Sequence, residues 1–175
     1  QNKALSEANE VIQREKEKSD TLLLNILPAA VAEDLKQTGK TTPRLFEDVT
    51  VSFSDMVGFT KMSSQLAPQH LIDELNEIFT GFDRIIETNE CERIKTIGDA
   101  YLAVCGMPEP NAHHATNMVR AALEMVRYLE RRNVDAQVKW QMRTGIHTGA
   151  VVGGVVGIKK YIYDVFGDTI NTASR

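Results

Sequence analysis

VTVSFSDMVGFTKMSSQLAPQHLIDELNEIFTGFDRIIETNECERIKTIGDAYLAV, residues Val49 to Val104, decides the fold, because its hydrophobic period changes several times within one stretch. Val49 to Ser54 is rich in β-formers and reads as a strand. Leu71, Ile72, Leu75, Ile78, Phe79, Phe82, Ile85 and Ile86 then recur at helical spacing, so a long amphipathic helix follows it. Arg93 to Ile97 and Tyr101 to Val104 are short strand-like runs flanking Gly98 and Asp99, a dipeptide suited to a tight reversal. Beyond this stretch, Met118, Val119, Ala122, Met125, Val126 and Leu129 make a second helical stripe. Val138 to His147 and Ala150 to Val156 return to strand character around Thr148 and Gly149. The order is β-α-β-β-α-β with an extra strand, an α/β (α+β) ferredoxin-like pattern in which both helical stripes are core.

On the N-terminal side, Gln1 to about Leu27 is charged and free of Gly and Pro, with Leu5, Ile12, Leu23 and Ile26 at heptad-compatible positions. Asn9, Lys16 and Ser19 interrupt that seam. The segment reads as a helix, either a solvated linker or one strand of a parallel coiled coil. Pro28 breaks it, and Ala29 to Leu35 with Thr38, Gly39 and Pro43 reads as a short helix and a connector. Three parts are therefore expected: a helix at 1–27, a short helix and connector at 28–45, and a domain at 46–175.

Composition narrows the function. A formal charge of −4 over 175 residues offers no broad basic surface, and clustered strand aromatics are lacking, so a nucleic-acid binder is not expected. Two cysteines, Cys91 and Cys105, cannot build a disulfide framework, which makes a reducing, cytoplasmic setting the default. The longest apolar run, Ala150 to Ile158, is too short to cross a bilayer, and no signal peptide is evident. Because the first residue is Gln1, the chain is expected to be a piece of a longer protein, with a membrane anchor upstream left open.

Two acidic residues carry the first chemical signal. Asp55 closes the first strand, and Asp99 sits at the tip of the hairpin after the crossover helix. A strand-helix-strand crossover leaves its two strands parallel, so both carboxylates emerge at one edge of the sheet. A pair of oxygen ligands there suits Mg²⁺ or Mn²⁺, which take further ligands from water and substrate phosphates; taken alone, the pair could equally be two solvated turn residues. Met56, Val57, Gly58, Phe59 and Thr60 follow Asp55 directly. Gly58 lets backbone approach a ligand, and the next helix start offers N–H groups to a polyphosphate.

The stretches FSDMVGFT (Phe53 to Thr60), IKTIGDAY (Ile94 to Tyr101), MRTGIHTGAVVGGVVG (Met142 to Gly157) and YDVFGDTINTASR (Tyr163 to Arg175) together resemble the class III nucleotidyl cyclases. LLLNILPAAVAEDL (Leu22 to Leu35) resembles the transducing segment of receptor-type members, which makes 1–27 a signalling helix and 28–45 a short transducing segment and connector. The resemblance implies that Asp55 and Asp99, with the Met56 backbone carbonyl, hold two divalent ions per active site. It implies a phosphate-binding role for Gly58, Phe59, Thr60 and Arg143, although Arg143 alone would also read as an exposed charge on an edge strand. Lys95 and Asp164 match the positions that in adenylate cyclases meet N1 and the N6 amine of adenine. Without a base they are expected to pair with each other.

Asn171 and Arg175 lie four apart after a helix start at Gly167 to Thr169 and so share a face. The resemblance gives Asn171 the ribose and Arg175 the transition-state phosphate, acting across a homodimer interface. The expectation is thus an adenylate cyclase that converts ATP to 3′,5′-cyclic AMP and pyrophosphate under an upstream sensor in the same chain. A guanylate cyclase, or a silent dimerisation or nucleotide-sensing module, is the alternative. Placement is expected in the cytoplasm or on the cytoplasmic side of a membrane receptor. Because the sequence stops at Arg175, before the last elements of such domains, this piece is expected to be weakly active or inactive.

Overall fold

The computed structural model describes residues 2–157 and 162–175, and the side chain of the seam residue Leu5 lies outside the described ones. The chain divides into two compact units, Gln1–Pro43 with Gly154–Tyr163, and Arg44–Gly153 with Asp164–Arg175.

The first unit contains α1 (Asn2–Leu24) and α2 (Ala29–Thr38). Pro28 precedes α2 in an extended conformation, since proline supplies no N–H to continue α1. Gly39 ends α2 in the left-handed region at φ 70°, its N–H donating to the Leu35 carbonyl, an αL stop. Lys36 and Asp20 join the two helices at 2.8 Å. Val11, Ile12, Leu22 and Leu24 are all more than half exposed along α1. No helix of the described residues is long and apolar enough to cross a membrane.

The second unit begins with β1 (Arg44–Met56), then α3 (Phe59–Ser63), α4 (Pro68–Thr88), β2 (Glu92–Ile97), β3 (Ala100–Cys105) and α5 (His114–Asp135). β4 (Met142–Val156) and β5 (Ile162–Phe166) run on into residues of the first unit, and α6 (Asp168–Ser174) follows. The sheet order is β2-β3-β1-β4-β5, with β3 antiparallel to both β1 and β2. β1 and β2 are therefore parallel, and their C-terminal ends share one edge, as the crossover rule requires. The expected α/β pattern holds.

One face of the sheet packs against α4 and α5. Ile78, Phe82 and Ile86 of α4 meet Met118, Ala121, Met125 and Leu129 of α5 over Tyr101, Ala103 and Cys105 of β3, with Trp140 buried beside them. Burying such side chains contributes roughly 1.5–3 kcal/mol each. Hydroxyls facing this core satisfy one another: Thr50 pairs with Thr148 at 2.8 Å and Ser54 with Thr144 at 3.0 Å. Asn89 ends α4 and is buried, its amide donating to the Ile85 carbonyl and to Glu124 of α5, both at 2.9 Å. Asn89→Ala is expected to cost about 1–2 kcal/mol, read as a lower urea midpoint, because Glu124 loses a buried donor.

Two strands were expected on either side of Thr148 and Gly149, but β4 runs through them. Thr148 and Gly149 stay in register opposite Thr50 and Val49. A Cβ on Gly149 would meet the Thr169 hydroxyl at 2.6 Å, so glycine serves close approach of α6 rather than a turn. Residues 138–141 fall outside the strand. There Asn133 holds the Trp140 carbonyl and N–H at 2.7 and 3.0 Å, and the Trp140 indole donates to Glu74 at 2.8 Å.

Candidate active site

Asp55 and Asp99 meet at the shared edge through the backbone. β2 and β3 reverse over Gly98 and Asp99, Gly98 standing at φ 60°, where glycine meets no side-chain penalty. That tight turn carries the Asp99 carboxylate back to β1, where its Oδ2 accepts the Met56 N–H at 3.1 Å. Asp99 is thus fixed one residue from Asp55.

Asp55 lies on the sheet face opposite the α4/α5 core, because it alternates with Ser54 and Met56 along β1. Directly across in register stands Arg143 of β4. Its guanidinium grips Asp55 with two parallel bonds, Nε to Oδ1 at 2.6 Å and Nη2 to Oδ2 at 3.0 Å. The bonds to Asp55, then the charges of Asp55 and Asp99, hold the guanidinium proton more firmly than usual. β4 is flanked by β1 and β5, so Arg143 is not on an edge strand, although its side chain is well exposed.

Arg175 joins this cluster. Phe53, Asp55, Arg143, Thr144, Gly145, Ala173, Ser174 and Arg175 line one cleft of about 380 Å³. Gly145 makes it possible, since a Cβ there would overlap the Ala173 carbonyl oxygen of α6. Asn171 is exposed on α6, four residues before Arg175, which follows the helix end.

Lys95 and Asp164 form a second group outside that lining. The ammonium and Asp164 Oδ2 are 2.5 Å apart, and Asp164 Oδ1 accepts the Val165 N–H at 2.8 Å. Both side chains are largely covered, at 33% and 17% exposure, so the bridge is tighter than a surface pair.

Gly58 stands at φ 70° before α3, with open space where a Cβ would go. Phe59 faces inward, its ring 5.9 Å from that of Trp140, so its side chain anchors the turn and only its backbone is left for a ligand. Thr60 is exposed. The first N–H groups of such a turn have no partner within the helix.

Among the described residues no group of three or more His, Cys, Asp and Glu side chains converges. The site offers hard oxygen donors from two carboxylates, and one of them already attracts a cation, the Arg143 guanidinium. That set fits Mg²⁺ or Mn²⁺ completed by water and phosphate, and not a closed structural zinc site. Missed in the sequence was the Asp55–Arg143 pairing, together with Phe53, Thr144, Gly145, Ala173 and Ser174 as cleft lining. The partners are separated by 88 residues, and only the strand register reveals them.

Residues 42–175 match the family described as adenylate and guanylate cyclase catalytic domain. A receptor-type guanylate cyclase of Caenorhabditis elegans is 45% identical over 164 residues, covering 92% of this chain and 16% of the relative. Retinal guanylyl cyclase 1 of Bos taurus is 41% identical over 173 residues, covering 97% and 16%. The solved guanylate cyclase domain of RhGC from Catenaria anguillulae, in complex with GTP, aligns with a TM-score of 0.73 at 35% identity, covering 75% of this chain and 72% of that one. The chain spans about one sixth of the length of these curated relatives.

These relatives overturn the expectation of an adenylate cyclase that binds ATP and makes cyclic AMP, since they are guanylate cyclases. The physical reason is that Lys95 and Asp164 amount to one donor beside one acceptor. Adenine and guanine both present an acceptor and a donor along their edges, so the pair does not discriminate unless the orientation of the base is also known.

Proposed function

The chain belongs to the adenylate and guanylate cyclase catalytic domain family, and on that premise we propose that it is the catalytic part of a guanylate cyclase, closing GTP to 3′,5′-cyclic GMP with release of pyrophosphate. What supports the reading is the convergence of Asp55 and Asp99 at one sheet edge beside Arg143, in a chain whose relatives are guanylate cyclases.

In this reading Asp55, Asp99 and the Met56 carbonyl hold divalent cations, Mg²⁺ or Mn²⁺. Such ions supply Lewis acidity that favours the ribose 3′-alkoxide and offsets charge on the triphosphate. Arg143 and Arg175 present guanidinium forks to phosphate oxygens, where bidentate, charge-assisted bonds orient the α-phosphorus. Backbone N–H groups of Gly58, Phe59 and Thr60 cradle the remaining phosphates, and Asn171 orients the ribose. Lys95 and Asp164 part from each other to meet the purine edge as donor and acceptor.

Lys95 and Asp164 are not part of the described cleft that Asp55 and Arg143 line. Two copies facing each other would bring Lys95, Asp164, Asn171 and Arg175 of one to the carboxylates of its partner, giving a homodimer with two sites. Residues 1–27 would be its signalling helix, 28–45 the transducing segment and 46–175 the catalytic part, under an upstream sensor in the same chain.

The experiment is a product assay on the full-length protein with Mn²⁺ and equal GTP and ATP. Cyclic GMP should form at least about tenfold faster than cyclic AMP, a ratio within reach of hydrogen-bond selection of a base. Cyclic AMP as the main product, or neither product, would overturn the proposal.

A further inference from the structure

The cation already seated on Asp55 leads one step further, resting on the metal reading above. Arg143 is bonded to both oxygens of Asp55, and the strand register places the two residues directly opposite. A divalent ion that ligates Asp55 has to share or take an oxygen the fork already uses, and it sets two positive charges beside the guanidinium. The two carboxylates differ here. Asp99 is tied to a backbone N–H that cannot leave, whereas the Arg143 side chain is 76% exposed and free to swing away.

We propose that Arg143 is an internal competitor of the divalent cation for Asp55, and that its displacement by the ion is what delivers the guanidinium to the substrate phosphates. Arg143 is then a positioning residue in the metal-free state and a phosphate ligand in the loaded one. Metal and polyphosphate reinforce each other, because either one removes the alternative partner of Arg143, and such coupling is reciprocal. The arrangement also keeps the site from holding a bare pair of carboxylates.

The test measures binding of Mn²⁺ alone by the electron paramagnetic resonance signal of the free ion, on the full-length protein without nucleotide. Arg143→Gln should bind Mn²⁺ about three- to tenfold more tightly than wild type, as expected for loss of one exposed ion pair and one repelling charge. Arg143→Lys, which keeps the charge without the fork, should fall between them. A second readout needs no variant of Arg143. In wild type, saturating Mg²⁺ should move the Arg143 Nε–H nuclear magnetic resonance signal toward its position in Asp55→Asn. Equal or weaker Mn²⁺ binding by Arg143→Gln, or a signal that stays put under saturating Mg²⁺, overturns the competition while the metal reading stands. If wild type and Arg143→Gln both fail to bind Mn²⁺, the metal reading falls and takes this inference with it.

Discussion

Asp99→Asn is expected to lower the rate of cyclic GMP formation by about three orders of magnitude and to leave the fold in place. Several kcal/mol of transition-state stabilisation depend on a divalent ion in such reactions, and each 1.36 kcal/mol is about a factor of ten. The substitution isolates charge from shape. Asparagine keeps a carbonyl oxygen that can accept the Met56 N–H, so the turn between β2 and β3 retains its tie to β1. Product quantified by mass spectrometry under saturating Mn²⁺, beside a thermal melt, checks both halves of the expectation. More than a tenth of wild-type activity would remove Asp99 from the metal site. A melt shifted by more than about 3 °C, on the order of 1 kcal/mol for a domain of this size, would instead assign the residue to the fold.

Gly145→Ala should be nearly as damaging, by a different route. The added methyl would lie 1.9 Å from the Ala173 carbonyl oxygen, and a backbone atom cannot rotate away as a side-chain tip can. α6 must shift or β4 must bend. Overpacking of this kind costs about 1–3 kcal/mol, and displacing Asn171 and Arg175 by about 1 Å is enough to cost about a hundredfold in turnover. Denaturant unfolding and steady-state rates on the same preparation test it. Wild-type stability together with wild-type turnover would show that α6 does not need this close approach.

Much of this was legible from residues alone. Most elements from Val49 to Leu129 were readable because the period switches sharply between two and 3.6 and most of each helical stripe enters one core, although Ile72, Val119 and Val126 are exposed. The meeting of Asp55 and Asp99 was readable too, since the handedness and direction of a crossover do not depend on detail. β4 was misread because Thr148 and Gly149 look like turn residues locally, while Val49, Thr50 and Thr169 decide their role from elsewhere in the chain. α3, five residues long, left no periodic trace. The base went wrong for a chemical reason: a donor beside an acceptor says that a purine edge can be met, and not which purine. Arg143 was assigned to phosphate without its present partner, because nothing near either residue in the sequence encodes the pairing.

The hydroxyl pairs under β1 and β4 bear on how the protein comes into being. Thr50 and Thr148 are separated by 98 residues, Ser54 and Thr144 by 90, whereas Met56 and Asp99 are separated by only 43. The Asp99 tether closes a shorter loop than the β1–β4 pairing, and contacts more distant in sequence carry the larger closure cost. When β4 docks, a slip of its register by two residues would break both hydroxyl pairs, those of the buried Thr50 and Ser54, so the register that satisfies them also brings Arg143 opposite Asp55.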